Sequence, residues 1–421
     1  MKQTMKKIFV LMASAAVLFA ACNKMEEVNT PVDTPVGTEV ITVVLNPVTK
    51  TSLDGKATLW TAGDKVSVKA DGVDLGNLEL VKGSSFSGTL NSATLDGATE
   101  VTLHYPAGVD TVPAEQTAVA GSFANGAALL DGTSTMAALR AGEGATLSNT
   151  TALLTFSVAQ AGDVTFEVGT AKYTVTGCEI EKTYYACVAP AASVDFVARI
   201  GGYLSNKASN KATFKANQVA NLGELPAPVK SSWGVIGLNG DWNNDIAMYD
   251  DLNGYSVAKN VTIKSTDEFK FRVGEWENEV SGGLTAPDTK RTNNTTIKAN
   301  ITTSKAGTYD VYTNGTEYYI MTPGRMPSTA SAPSDITITI SSIDKNYKCL
   351  HMWGAVSVNC KYSSNSTWSV TIPADKLDER VKAILTKGAS DGKWNWQTND
   401  SDDLCLRNPM PLKVVDNKAT H

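Results

Sequence analysis

Three tryptophans, Trp233, Trp242 and Trp276, fall among Asn, Asp, Lys and Arg in the stretch WGVIGLNGDWNNDIAMYDDLNGYSVAKNVTIKSTDEFKFRVGEWENE, residues 233–279. A flat apolar ring beside fixed hydrogen-bonding groups suits a sugar, whose C–H face is apolar and whose rim carries hydroxyls. Within EFKFRV, Phe269 and Phe271 alternate with Lys270 and Arg272, so a strand would turn both cations to the face opposite the phenylalanines. Two like charges at i and i+2 on one face fit either a hydroxyl-binding surface or plain solvation. Trp242 stands in a Gly/Asn/Asp loop, where a ligand platform competes with packing. Trp276 is evenly placed between the two roles, and Asn278 follows it. Trp233 opens a strand, which favours the core. A second cluster lies in GKWNWQTNDSDDL, residues 392–404, where Trp394 and Trp396 are two apart and would share one face of a strand beside Gln397. Trp353, in LHMWG, is a further platform candidate, and a core pair is the rival reading of Trp394 and Trp396.

Catalytic chemistry finds little to work with. The chain has 3 histidines, His104, His351 and His421, none with a partner at metal-ligand spacing. A Ser or Cys nucleophile therefore lacks an obvious base, and neither G-x-S-x-G nor a P-loop occurs. Glycoside cleavage needs two carboxylates across a cleft, and units of the size seen here seldom enclose one. Asp241, Asp245, Asp250 and Asp251 lack regular calcium-loop spacing and read as solvated turn residues. The expectation is a binder without catalysis, cofactor or metal.

These residues must be held by β-structure. The chain is 421 residues long with a net charge of -6, which argues against nucleic acid as a partner. Short alternating runs punctuated by turn residues predict an all-β protein of tandem β-sandwiches. Residues 38–226 form a first β region, 233–322 a second and 336–421 a third, with Pro-containing linkers between them. Asn314-Gly315 between two Tyr-rich runs marks a hairpin. NTTIKAN, residues 294–300, reads as a strand, and DKLDERVKAIL, residues 375–385, is the best helix candidate, with VKAIL open to a strand reading.

The stretch TKTSLDGKATLWTAGDKVSV, residues 49–68, with SFSGTL and LHYPA, resembles the amino-terminal region of fimbrillin-like lipoproteins, which implies a β-sandwich serving as pilus subunit or stalk. The residues themselves read as structural: Trp60 and Phe86 as core anchors, Asp54-Gly55 and Gly63-Asp64 as turns. NGDWNND, GYSVAKNVTI, EFKFRVGEWENE and AGTYDVYTN together resemble SusE/SusF-type outer-membrane starch-binding lipoproteins, built from immunoglobulin-like and carbohydrate-binding-module domains. That resemblance implies glucose stacking on Trp242, hydroxyl contacts from Lys270 and Arg272, and Trp276 and Asn278 in the next loop. The last region is similar to starch-binding modules with a W-Q-T-x-D-L motif, which implies stacking by Trp396 and hydrogen bonding by Gln397. The Trp-Pro-Gly loop of those modules is missing.

The amino terminus reads as a targeting segment. Lys2, Lys6 and Lys7 precede the apolar residues 8–21, too short to span a bilayer as a helix. LFAAC resembles a lipobox, implying cleavage before Cys22, residues 1–21 as signal peptide, acylation of Cys22 and a tether over 22–37. NKMEE resembles the signal that sends lipoproteins to the outer face of the outer membrane. Cys178 with Cys187, and Cys349 with Cys360, could pair across hairpins; buried free thiols are the equal alternative. Together these readings predict a lipid-anchored outer-membrane protein that captures α-glucan, beside a TonB-dependent importer complex and surface glycosidases implied by the resemblance. The rival readings are a fimbrillin-type adhesin or pilus-associated protein, and an endo-glycosidase.

Overall fold

The computed structural model describes residues 37–47, 60–342, 346–354, 356–379 and 381–386, with the strands Leu404–Cys405, Met410–Val415 and Lys418–Thr420. Cys22, Asp54, Trp394, Trp396 and Gln397 lie outside these residues. Its regular elements are almost all β-strands, as the alternating pattern predicts.

The first sheet closes on itself. Its strands run in the order Glu39–Pro47, Ser85–Leu90, Val73–Lys82, Lys65–Ala70, Glu100–Tyr105, Leu130–Thr135, Ala145–Asn149. The long first strand makes closure possible: its start pairs antiparallel with Ser85–Leu90, and its end pairs parallel with Ala145–Asn149. The interior is filled by alternate residues such as Ile41, Val43 and Leu45. Trp60 packs edge-on to Phe86, at 4.9 Å between ring centroids, and to Tyr105 at 5.1 Å, and its indole N–H donates to the Leu45 carbonyl. Both rings are core anchors, as their positions suggest. The helix Met136–Arg140 seals this core through Met136 and Leu139, and Thr135 caps it.

A second core, from Ala152 to Leu225, lies between a five-stranded and a three-stranded sheet. Cys178 is buried in this core as a free thiol, and Cys187 is a free thiol buried on the opposite face of its strand, in a small cluster with Leu153 and Tyr185, which removes the proposed bridge; Cys349 is buried as well. Burial pushes the thiols of Cys178 and Cys187 up to about 12.

The stretch 38–226, expected as one β region, thus carries two cores. Residues 230–322 therefore form the third region of the fold and hold the candidate site, and residues 336–421 form the fourth. The main sheet of the third region has eight strands, ordered Asn278–Val280, Lys270–Val273, Lys230–Ile236, Ile246–Asp250, Ser256–Ile263, Gly307–Thr313, Glu317–Met321, Lys290–Thr292. Asn314 and Gly315 make the expected hairpin: Gly315 has φ +85°, and the Asn314 side-chain oxygen accepts from the amides of Thr316 and Glu317. NTTIKAN is not a strand. The Asn294 side-chain oxygen accepts from the amides of Thr296 and Ile297 and winds residues 295–297 into a turn; a local side-chain bond of this kind competes directly with a sheet ladder.

The last region packs two four-stranded sheets around Trp368, which is 2 % exposed and donates from its indole to the Lys361 carbonyl. The expected helix there is only a 3-10 turn, Ala374–Lys376, and VKAIL belongs to the strand Val381–Thr386. Val381, Ile384 and Leu385 favour a pleated surface, and pairing with Cys349–Gly354 decides the matter.

Candidate functional site

The alternation in EFKFRV is realised on the strand Lys270–Val273 and the residue before it. Phe269 and Phe271 are fully buried in the third core, while Lys270 and Arg272 lie on the other face. Two glycines on and after the neighbouring strand shape that face. Gly234 pairs with Arg272, and a Cβ there would meet the Asp245 side chain at 2.8 Å. Its absence lets Asp245 cross the strand and accept from Arg272 Nε at 2.9 Å. Gly237 has φ +100°, and a Cβ there would meet the Trp242 ring at 2.7 Å and the Glu268 carbonyl at 2.6 Å. Only glycine tolerates both the left-handed backbone and the indole lying against it.

The Trp242 loop is held from within. The Asp241 carboxylate accepts from the amides of Asn243 and Asn244 and from the Asn244 side chain, and these bonds hold it below its ordinary value. Trp242 is consequently half-buried. Its ring stacks on Trp276, with centroids 6.3 Å apart and planes 28° apart.

Trp276 is the more open of the two, at 43 % exposed. It sits in the turn between Lys270–Val273 and Asn278–Val280 with φ +71°. A left-handed backbone at a bulky aromatic costs roughly 1–3 kcal/mol and persists only where its surroundings over-determine it. Here the surroundings are Trp242, Arg272, whose guanidinium carbon is 5.0 Å from the ring centroid, and Lys270, whose Nζ is 5.9 Å away. Lys270 also donates to Glu279 at 2.9 Å, and Glu279 pairs with Lys298 at 3.1 Å. Burial alone would raise the Glu279 carboxyl, but the two lysines outweigh it and hold it below its ordinary value.

The two strand cations are thus mostly covered, at 11 % and 12 % side-chain exposure, and each has a carboxylate partner. They brace the indole more than they face solvent. Beside Trp276 opens a cleft of about 390 Å³ lined by Asn278, Glu279, Ser281, Asn293, Thr295 and Lys298. Sequence reasoning brought Trp242, Lys270, Arg272, Trp276 and Asn278 together, and the structure does place them in one cluster. It missed Asn293 and Lys298, because the stretch after Asn293 reads as a strand; the Asn293-Asn294 pair was the available turn signal.

The remaining candidates lie elsewhere. Trp233 packs against the third core and over Gly315. Trp353 is half-buried on the strand Cys349–Gly354, its ring 5.6 Å from His351. The aspartates weighed for calcium are dispersed: Asp245 on Arg272, Asp251 on Arg199, Asp241 within its own loop. Among the described residues no group of three or more His, Cys, Asp or Glu could hold a metal ion, and no helix is long and apolar enough to cross a membrane.

No family model matches the chain, and no curated protein does. Solved structures match it in part. A fimbrial protein from Bacteroides ovatus is 12% identical with a TM-score of 0.27, covering 48% of this chain and 53% of its own length. The match thus spans about half of that protein. A proposed cell adhesion protein from Bacteroides ovatus is 11% identical with a TM-score of 0.30, covering 51% of this chain and 97% of its own. Another from Bacteroides uniformis is 13% identical with a TM-score of 0.27, covering 46% and 94%.

Proposed function

We propose that this chain is a cell-surface adhesin that holds carbohydrate on its third β region and breaks no bond. The observation that carries the reading is Trp276: an exposed indole, fixed in a left-handed turn by Trp242, Arg272 and Lys270, beside a cleft of amide, hydroxyl and charged groups. A rigid ring loses little entropy when a sugar face stacks on it, and such a contact contributes about 0.5–1.5 kcal/mol beyond burial. Asn278 and Lys298, both exposed, would meet the hydroxyls at the rim, while Asn293 is held by its own bonds to Ser281, Glu279 and Gly315. An α-glucan is the ligand class implied by the SusE/SusF resemblance, and the wider partnership with an importer and glycosidases rests on that resemblance too.

One shallow site binds weakly, so a polymer offering many sugar faces, or a second module, raises the working affinity. Trp396 and Gln397, with Trp353, remain the candidates for that module. The amino-terminal barrel and the region after it act in this reading as a stalk, tethered to the outer membrane through acylated Cys22.

A glycan array probed with the full mature chain tests it. Retention on α-glucan spots that falls at least tenfold in Trp276→Ala supports the reading. Retention on no glycan, together with self-assembled oligomers on native gels, would replace it with a pilus-subunit role. Reducing ends released from amylose would replace it with an endo-glycosidase.

A further inference from the structure

A second cleft, of about 440 Å³, opens elsewhere on the third region and the segment that follows it. Its walls include Tyr255, Glu317, Lys290, Met326, Pro327 and Asp251. Tyr255 and Tyr319 both donate to one oxygen of Glu317, at 2.9 and 2.8 Å, and Lys290 pairs with the other. Asp251 accepts from Arg199 through Oδ1 at 2.9 Å. Its side chain is 1 % exposed, and its Oδ2 is buried with no hydrogen-bond partner. Arg199 Nη2 is likewise buried without a partner, so both orphan atoms belong to this one ion pair.

Charge decides the ligand class. Glu317 pairs with Lys290, and Arg199 is shared between Asp251 and Glu167, so each charged group of the cleft wall already has a partner of opposite sign. Apolar surface from Tyr255, Met326 and Pro327 lies next to hydroxyl, ammonium and carboxylate groups. Apolar walls with a few placed polar groups are the usual make-up of a small-molecule site, and the volume falls in the usual range of roughly 300–1,000 Å³.

We infer that this cleft is a second binding site, for a neutral polyhydroxylated ring such as one sugar unit, with Tyr255 as the apolar contact and the exposed Lys290 ammonium donating to a ligand hydroxyl. The inference rests on the Trp276 reading only for the choice of probe.

The test is amide shift mapping of the ¹⁵N-labelled mature chain with maltoheptaose, in wild type, Trp276→Ala, Tyr255→Ala and the double variant. The expected result is shifts at Asn253 and Ser328 that persist in Trp276→Ala and vanish in the double variant. Tyr255→Phe, which keeps the ring, retains them. If Tyr255→Ala does not fold, Pro327→Ser removes apolar wall on the neighbouring turn and is read the same way. Shifts confined to the surroundings of Trp276 overturn this inference and leave the first site standing; shifts at neither place overturn both. Shifts at Asn253 and Ser328 with spermidine and not with maltoheptaose overturn the ligand class.

Discussion

At the scale of single residues, the platform depends on what is missing from Gly237. Alanine there forces a left-handed backbone and drives Cβ into the Trp242 ring. Gly237→Ala should therefore cost about 1–3 kcal/mol in urea unfolding and lower sugar binding as well, because Trp242 can no longer support Trp276. Unchanged stability would mean that the loop has another way to pack. The buried cysteines give a second expectation. With their thiols pushed to about 12 by burial, Cys178 and Cys187 should resist iodoacetamide at pH 8 in the native chain and react at once in denaturant. Native alkylation would show that the packing around them opens.

At the scale of elements, the site strand was legible because a period of two is hard to imitate: Phe269 and Phe271 in, Lys270 and Arg272 out. What could not be read was the use of the cations. Their partners Asp245 and Glu279 come from other strands and loops, and contacts between separate elements leave no local pattern. Phe271→Ala removes a fully buried ring and should cost about 3–5 kcal/mol, measured by chemical denaturation, with Trp276 loosened as its strand is. In the barrel, His104 lies between the Asp131 carboxylate, at 2.5 Å, and the Val109 carbonyl, at 2.7 Å. Burial pulls its pKa down, but the Val109 carbonyl and Asp131 outweigh it and hold it above the ordinary 6.5. A raised folded-state value means that the protonated pair stabilises the barrel fully below 6.5. That contribution is lost as the pH rises through the folded value. Thermal unfolding followed from pH 6 upward should show this loss in the native chain and not in His104→Gln.

At the scale of the whole molecule, the all-β make-up was legible from turn spacing, while closure of the first sheet was not. Closure turns on one long strand finding two partners about 50 and 100 residues away, between Leu90 and Glu39 and between Ala145 and Leu45. The third and fourth regions are also more tightly joined than a Pro-containing linker suggests. Leu284 packs into the fourth core, its amide donates to the Leu377 carbonyl, and Arg291 pairs with Asp378. A chain ending at residue 333 uncovers that leucine and strips Arg291 of its partner. Its third region should lose about 2–4 kcal/mol, read from the urea midpoint of tryptophan fluorescence, whereas independent regions would show no change. The central claim concerns the exposed indole, and tryptophan fluorescence reports on it directly. Titration of the mature chain with maltoheptaose should give a saturable change that Trp276→Ala abolishes and Trp233→Phe leaves in place. A saturable change of equal size and midpoint in Trp276→Ala, or none in the native chain with any neutral oligosaccharide, would contradict it.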